Sequence, residues 1–512
     1  MKKLVLVFMI LNLTSGAFAQ PFVEADTLRI NGHMALWLGS SDYYQDGFNY
    51  GRLLGHRIKP FFENYLIPVT FGNVAGYHEA RLIFDQYFVV DDKYIEMTQG
   101  MINGMEYAGI DLFSLVLDDT LTYKDILIAN SVPDYMSFPG KSNYIIPGCS
   151  TLTSWGEATI NSPELMGETV INRYLDWDDH PHIINNPLII IWVTGDPQKQ
   201  SFVTFGFMGL IGALSGINEH GVATFQNVGN FFINPIGTGF YPVNLAQRNG
   251  LEAADYNGDG VCSPRDITDA VKAHNLASTY IINSAGPSSL ESAAESLEIH
   301  NSFGYSIRTK ANNPLYFGDN LVATNHFRLL KPAVFCSRYK RISDSLQVSN
   351  QLDVNRNWNV LKTAGHYTTL QTIQFIPTQN IIRFSFAEVG TPAYLIEPYE
   401  VWMDTLFTMF NVGMNEKNLN RKSHVRVFPN PGKDLISIVI KPEAKSKIVV
   451  VINDQTGRVV FREEMLYETG AGKSFKWDTG KLAAGVYFAV VEITDNVTRI
   501  AQQESRKIVV MK

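Results

Sequence analysis

The amino-acid sequence predicts an α+β fold followed by a smaller all-β sandwich. Three observations carry this. Segments within the first 148 residues place apolar and aromatic side chains at helical spacing, residues 149–230 alternate like strands, and residues 425–512 break into short strands parted by turns. The 512 residues leave room for two to four domains, and 45% hydrophobic against 18% charged content supplies an ample core.

The chain opens on Met1-Lys2-Lys3, an apolar run from Leu4 to Leu13, and Ala17-Phe18-Ala19. A positive start, a short apolar stretch and a small-residue cleavage site make a secretory signal peptide of residues 1–19, not a membrane span. No other apolar run in the sequence reaches the roughly 20 residues that a spanning helix needs. The formal net charge is -8 and there is no basic block, which excludes nucleic acid as a partner.

Residues 20–148 read as mainly helical. Tyr43 to His56 and Tyr94 to Met105 carry the helical pattern, and Tyr123 to Asn130 makes a third helix. Glycines inside the first two (Gly47, Gly51, Gly55, Gly100, Gly104) cost helix propensity, so close helix packing is expected.

At Gly148-Cys149-Ser150-Thr151 the pattern changes to strands. The expected hairpin has a strand over 151–159, a turn at 161–164 and a strand over 166–173, which returns Arg173 and Asp176 beside Cys149. A thiol is nucleophilic only as thiolate and needs a base. No His lies near this motif except His180 and His182, beyond the hairpin, but a free α-amine, with a pKa of roughly 7.7–8.0, serves an N-terminal nucleophile as its own base. Cleavage of the Gly148–Cys149 bond creates that amine, and the small Gly148 leaves the bond unhindered. Asp176 is placed to hydrogen-bond the amine or thiol and Arg173 to hold negative charge. The plainer reading is a buried structural Cys at a strand start. Beyond it, residues 187–193 and 201–207 are β-rich, and Gly216 to Phe225 is a tight turn entering another strand that reaches Asn227.

Residues 255–266 place oxygen ligands at the spacing of an EF-hand-like calcium loop: Asp255, Asn257, Asp259, the Val261 carbonyl and Asp266, with Gly260 at the turn. The expectation is a structural calcium, with an exit helix over 267–275, as in the dockerin-type loops that this resembles; the alternative is a polar surface turn. With Cys149 as the free thiol, Cys262 and Cys336 remain as a candidate disulfide. Further on, Asn320 to Phe327 ends a strand with polar groups, and Ser337 to Arg341 starts a helix. His326 is read as structural. Residues 413–424 form a polar linker. Residues 425–512 show short strands at 435–440, 447–452, 457–463, 474–478 and 485–493 without a catalytic cluster, a β-sandwich pattern.

Taken together, the helix over Gly47–Gly55, the helix over Glu96–Gly104, Gly148-Cys149, Arg173 with Asp176, Gly216-Ile217-Asn218 to Asn227, Thr324-Asn325-His326-Phe327 and Ser337-Arg338 resemble the acyl-coenzyme A:6-aminopenicillanate acyltransferase-like family of N-terminal nucleophile (Ntn) hydrolases. The resemblance spans residues about 40–412. It implies a four-layer αββα sandwich, self-cleavage into two chains that stay associated, and hydrolysis or acyl transfer at a linear amide. It implies Cys149 as nucleophile with its amine as base, Arg173 and Asp176 as orienting groups, Asn227 and Asn325 at the oxyanion site, and Arg338 as a structural or substrate-side Arg. The 255–266 loop is a departure from that pattern.

Residues about 425–512 resemble the C-terminal sorting domain of the type IX secretion system, through Phe428-Pro429-Asn430-Pro431, Asp454 to Arg458, Leu482 to Phe488 and the basic end from Lys507 to Lys512. The resulting expectation is a secreted or cell-surface, self-processing cysteine amidohydrolase that needs no cofactor for catalysis. Its partners are a small N-acyl amide, its own 20–148 segment and the type IX machinery. An acyltransferase and an inactive surface-binding relative are the rival readings.

Overall fold

The 25–38 hairpin, which the helical reading of residues 20–148 passes over, starts the largest sheet of this computed structural model, which describes residues 25–139, 148–230, 234–408 and, with short interruptions, 425–511. Strands Ala25–Ile30 and His33–Leu38 pair antiparallel around Asn31 and Gly32, both at positive φ (50° and 78°). Asn-Gly is the residue pair that such a two-residue turn demands. The second of these strands then pairs parallel with Pro187–Trp192. From there the nine-stranded sheet continues through Phe202–Phe207, Ser215–Asn218, Ala223–Val228, Thr279–Ala285, Ala294–His300 and Gly304–Arg308.

A six-stranded sheet runs in the order Asn320–Ala323, Gly148–Ser154, Val170–Asp176, Thr369–Ile376, Ile381–Phe386, Tyr399–Trp402. Alternation decides what each strand buries. Ile189 and Ile191 join Ile171, Ile373 and Phe375 in one core between the two sheets. Leu188, Ile190 and Trp192, one residue out of phase, pack with the helices of residues 43–138 on the other face. On the outer face of the six-stranded sheet, Leu152 and Tyr174 meet Ile342, Leu346 and Leu361 of the helices Ser337–Val348 and Val354–Lys362. The result is a mixed α/β body with helices outside two stacked sheets.

Helices Tyr43–Phe61 and Asp92–Tyr107 meet through their glycines, as expected. A β-carbon at Gly47 or Gly51 would stand 1.8 or 1.9 Å from the carbonyl oxygens of Met97 or Met101. At Gly100 and Gly104 the distances to Tyr44 and Phe48 carbonyls would be 2.2 and 2.0 Å. Each Gly gives up about 0.8–1.0 kcal/mol of helix propensity relative to Ala, and the backbone contact it permits offsets that.

Three sequence expectations are corrected here. The hairpin strands are Gly148–Ser154 and Val170–Asp176, not 151–159 and 166–173. Gly156 (φ 50°), Met166 (φ 49°) and Gly167 (φ 94°) turn the chain out of extended conformation between them. The exit helix of the 255–266 loop is Pro264–Lys272, so Asp266 lies inside its first turn. Cys149, Cys262 and Cys336 are all free thiols, so the candidate disulfide is not formed.

The C-terminal unit has a three-stranded sheet (Val425–Phe428, Leu435–Ile440, Lys473–Asp478) and a four-stranded one (Val459–Tyr467, Ser446–Asp454, Gly485–Asp495, Ala501–Val510). Ile436, Ile438, Ile448, Val450, Trp477 and Ala489 are among the side chains of its own core. The signal-peptide and 413–424 linker readings lie outside the described residues. Among the described residues no helix is long and apolar enough to cross a membrane.

Candidate active site

The antiparallel register pairs Gly148 with Asp176, Cys149 with Leu175 and Thr151 with Arg173. Successive side chains on a strand point to opposite faces. Cys149, Thr151 and Arg173 therefore share the face toward the larger sheet, while Asp176, three residues from Arg173, lies on the other. Arg173 reaches the thiol, whereas Asp176, expected to hydrogen-bond the amine or thiol, contacts Thr369 and Arg338 instead.

Arg173 is fully buried. Its Nη2 is 3.5 Å from Cys149 Sγ and donates to the Gln226 carbonyl at 2.8 Å, while Nη1 donates to Ser215 Oγ at 3.1 Å. Burial lowers the Arg173 pKa, and the neighbouring Cys149 and Asp176 oppose that. Asp176 accepts from Thr369 Oγ1 at 2.6 Å and lies 3.5 Å from Arg338 Nη1. Burial raises its pKa, against the pull of Arg338 and the Thr369 hydroxyl.

Arg338 reaches in from the first turn of its helix. It donates to the Cys149 carbonyl at 2.6 Å, to Ser150 Oγ at 3.2 Å and to Asn325 Oδ1 at 2.6 Å. The same Asn325 Oδ1 accepts the Cys149 backbone N–H at 2.7 Å, and Asn325 Nδ2 donates to the Val228 carbonyl at 2.6 Å. Asn227 sits one step back: its Oδ1 accepts from Thr151 Oγ1 at 3.1 Å and its Nδ2 donates to the Thr324 carbonyl at 3.2 Å. Cys149, Arg173, Asn325, Arg338 and Asp176 are thus brought together, with Asn227 behind Thr151.

Cys149 and Arg173 also line a cavity of about 80 Å³ whose wall is mostly apolar, including Phe61, Leu66, Trp177, Phe207, Met208 and Leu214. Phe61, Tyr65, Leu66 and Thr70 all face it, from the end of the first helix and the π-helix Phe62–Thr70 that follows. At 3.6 residues per turn, residues five and nine apart point well away from each other. The wider i to i+5 turn brings them onto one face. Tyr65 donates to Asp178 Oδ2 at 3.0 Å and accepts from Trp177 Nε1 at 3.1 Å, which fixes the indole in the wall.

Sequence reasoning passed over Ser215, Gln226, Thr369 and Tyr65. The first three act on groups remote in sequence: Ser215 and Gln226 lie 42 and 53 residues from Arg173, and Thr369 lies 193 residues from Asp176. Tyr65 sits in a stretch holding Pro60 and Pro68, residues that break an ordinary helix.

Two residues before Arg338, Cys336 holds the N-cap position of the Ser337–Val348 helix without a side-chain capping bond. Burial raises its pKa, but hydrogen bonds with His326, the Tyr339 N–H and Thr324, and the charge of Arg338, bring it down to about 6. The structural role read for His326 includes this contact. Cys262, by contrast, is pushed up by burial to about 11.

In the calcium-type loop the side-chain oxygens of the expected ligands accept backbone N–H groups. Asp255 accepts N–H groups of Gly258, Asp259 and Gly260, Asn257 accepts that of Asp259, and Asp259 that of Val261. Asp266 accepts those of Tyr256, Asn257 and Ser263. Among the described residues no three His, Cys, Asp or Glu side chains are grouped to hold a metal ion.

Residues 426–510 match the family described as a secretion system C-terminal sorting domain. The chain carries a type IX sorting domain there, the mark of a protein secreted and held at the cell surface. No curated protein matches the chain by sequence. Among solved structures, the chain is similar to the Caenorhabditis elegans N-acylethanolamine-hydrolyzing acid amidase ortholog (18% identity, 45% of this chain and 93% of that one, TM-score 0.34). It is also similar to a mutant of the conjugated bile acid hydrolase from Clostridium perfringens (11% identity, 50% and 94%, TM-score 0.29). A third similarity is to dimeric latent PorU from Porphyromonas gingivalis (18% identity, 27% and 13%, TM-score 0.16).

Proposed function

We propose that this chain is a secreted, self-processing cysteine amidohydrolase of the Ntn type, with the αββα sandwich as its scaffold. The observation that carries the reading is the grip on Cys149. Asn325 accepts its N–H at 2.7 Å, Arg338 holds its carbonyl at 2.6 Å, and Arg173 lies 3.5 Å from its sulfur at the wall of an apolar cavity. A buried structural Cys needs none of these.

In the processing step the Cys149 sulfur attacks the Gly148 carbonyl carbon. The C–N bond breaks as the sulfur takes the acyl group and the nitrogen takes the thiol proton. Water then hydrolyses the thioester, leaving a Gly148 carboxylate and a free Cys149 amine. That amine stays where the N–H now is, against Asn325 Oδ1. The Ala25–Leu38 hairpin is hydrogen-bonded into the nine-stranded sheet through Pro187–Trp192, which keeps the two chains together after the cut.

In turnover the amine takes the thiol proton, the thiolate attacks the N-acyl carbonyl, and the protonated amine returns the proton to the departing nitrogen. Water, deprotonated by the same amine, releases the acyl group as an acid. Arg173 and Asn325 are assigned as donors to the developing oxyanion, with Asn227 one step back behind Thr151, while Arg338 and Asp176 position the cysteine backbone. Phe61, Leu66, Trp177, Phe207 and Met208 suit an apolar acyl chain. The test is amine release from a series of N-acyl amides by the processed protein. Release that vanishes in Cys149→Ala supports the reading; release that persists overturns it.

A further inference from the structure

Two amide side chains in the cavity wall have unused hydrogen-bonding atoms. Gln226 is 1% exposed and lines the cavity, yet among the described residues neither its Nε2 nor its Oε1 has a partner. Asn244, 3% exposed, lines it too. Its Nδ2 donates to the Asn130 carbonyl at 3.1 Å, which fixes the amide's orientation and leaves Oδ1 without a partner among the described residues. Leaving a buried polar group unpaired costs about 1–3 kcal/mol, so native sites rarely keep one idle.

The two residues belong to one end of the cavity. Gln226 N–H donates to the Leu214 carbonyl at 3.1 Å, and Ala213 N–H donates to the Asn244 carbonyl at 2.8 Å. They flank the same two-residue segment. That end is also near the nucleophile, because Arg173 Nη2 bridges the Gln226 carbonyl and the Cys149 sulfur.

Resting on the amidohydrolase reading, we propose that the preferred acyl group is not a plain hydrocarbon but carries a hydroxyl, within reach of Gln226 and Asn244. A hydroxyl both donates and accepts. It can accept from Gln226 Nε2 and donate to an amide oxygen, whereas a keto oxygen leaves Asn244 Oδ1 unpaired. A carboxylate would face amide oxygens. Gln226 and Asn244 then act as specificity residues, and the apolar wall holds the rest of the chain.

The experiment compares, on processed wild-type protein, N-acyl amides of equal chain length and identical amine, plain or hydroxylated at successive carbons. At one position the hydroxylated substrate is expected to show a kcat/KM about ten-fold above its plain partner. Gln226→Met and Asn244→Leu should each draw that ratio toward one. Equal or slower turnover of every hydroxylated substrate overturns the proposal, the polar end then holding water alone. If no amide is turned over, the amidohydrolase reading fails instead. Binding of plain and hydroxy fatty acids to Cys149→Ala protein then decides the cavity's preference: tighter hydroxy-acid binding supports it, and equal binding overturns it.

Discussion

Gly148 sits directly across the sheet from Asp176, and a β-carbon on Gly148 would stand 2.7 Å from Asp176 Oδ2. The residue before the nucleophile must be small because the carboxylate occupies that space. Gly148→Ala should displace Asp176 and, with it, Arg338. Overpacking of this kind costs about 1–3 kcal/mol, so self-cleavage should slow about ten-fold or more. Timed gel analysis of freshly purified protein measures it, and cleavage at the wild-type rate would show that the contact yields.

Asn325 serves three partners: the Cys149 N–H, Arg338 and the Val228 carbonyl. Asn325→Ala should lower turnover by about 10²–10³, the usual effect of removing one oxyanion donor. It should also destabilise the fold, by about 1–3 kcal/mol for the partners left unpaired. Kinetics and urea denaturation on the same sample separate the two effects. Full turnover would remove Asn325 from the reaction.

Much of this site was legible in the sequence. Cys149 and Arg173 converge because a hairpin returning to its own start must bring its ends together; Asn325 follows the strand Asn320–Ala323 that pairs with Gly148–Ser154, and Arg338 reaches in from the start of its helix. The glycine-spaced helices meet through Gly47, Gly51, Gly100 and Gly104 because only a residue without a side chain lets backbones approach so closely. Asp176 was expected to hydrogen-bond the amine or thiol; it meets Arg338 and Thr369 on the face opposite Arg173, as a three-residue spacing on a strand implies. Thr369 carries no local signal, since its role comes from pairing with a strand 193 residues away. The strand Ala501–Val510 was read only as a basic end. It is an edge strand whose Gln502, Gln503, Glu504 and Arg506 break the apolar alternation.

Asp134 is buried, accepts from Tyr280 at 2.6 Å, and has its pKa raised by burial from 3.8 to about 7. An acid with a higher pKa in the folded state binds more protons folded than unfolded, so stability falls as pH rises. The loss begins near 3.8 and is complete above about 7. Asp134→Asn cannot titrate, and its melting temperature should depend less on pH over that window. The flattening is partial, because buried Asp46, raised to about 6, contributes with the same sign. An unchanged slope would mean that Asp134 does not titrate in this range.

Asp266 accepts three backbone N–H groups across the 255–266 loop. Asp266→Ala should cost about 2 kcal/mol, the sum expected from a lost cap and charge-assisted bonds. Thermal unfolding in excess chelator is the measurement. A loss of stability seen only with added calcium would instead make Asp266 an ion ligand.

The central claim is tested most directly by N-terminal sequencing and intact mass of the purified protein. The account predicts a fragment that begins at Cys149, held together with the preceding segment, and a single uncut chain in Cys149→Ala. A wild-type chain that runs uncut through Gly148–Cys149, or a Cys149→Ala protein cut at that bond, would contradict it.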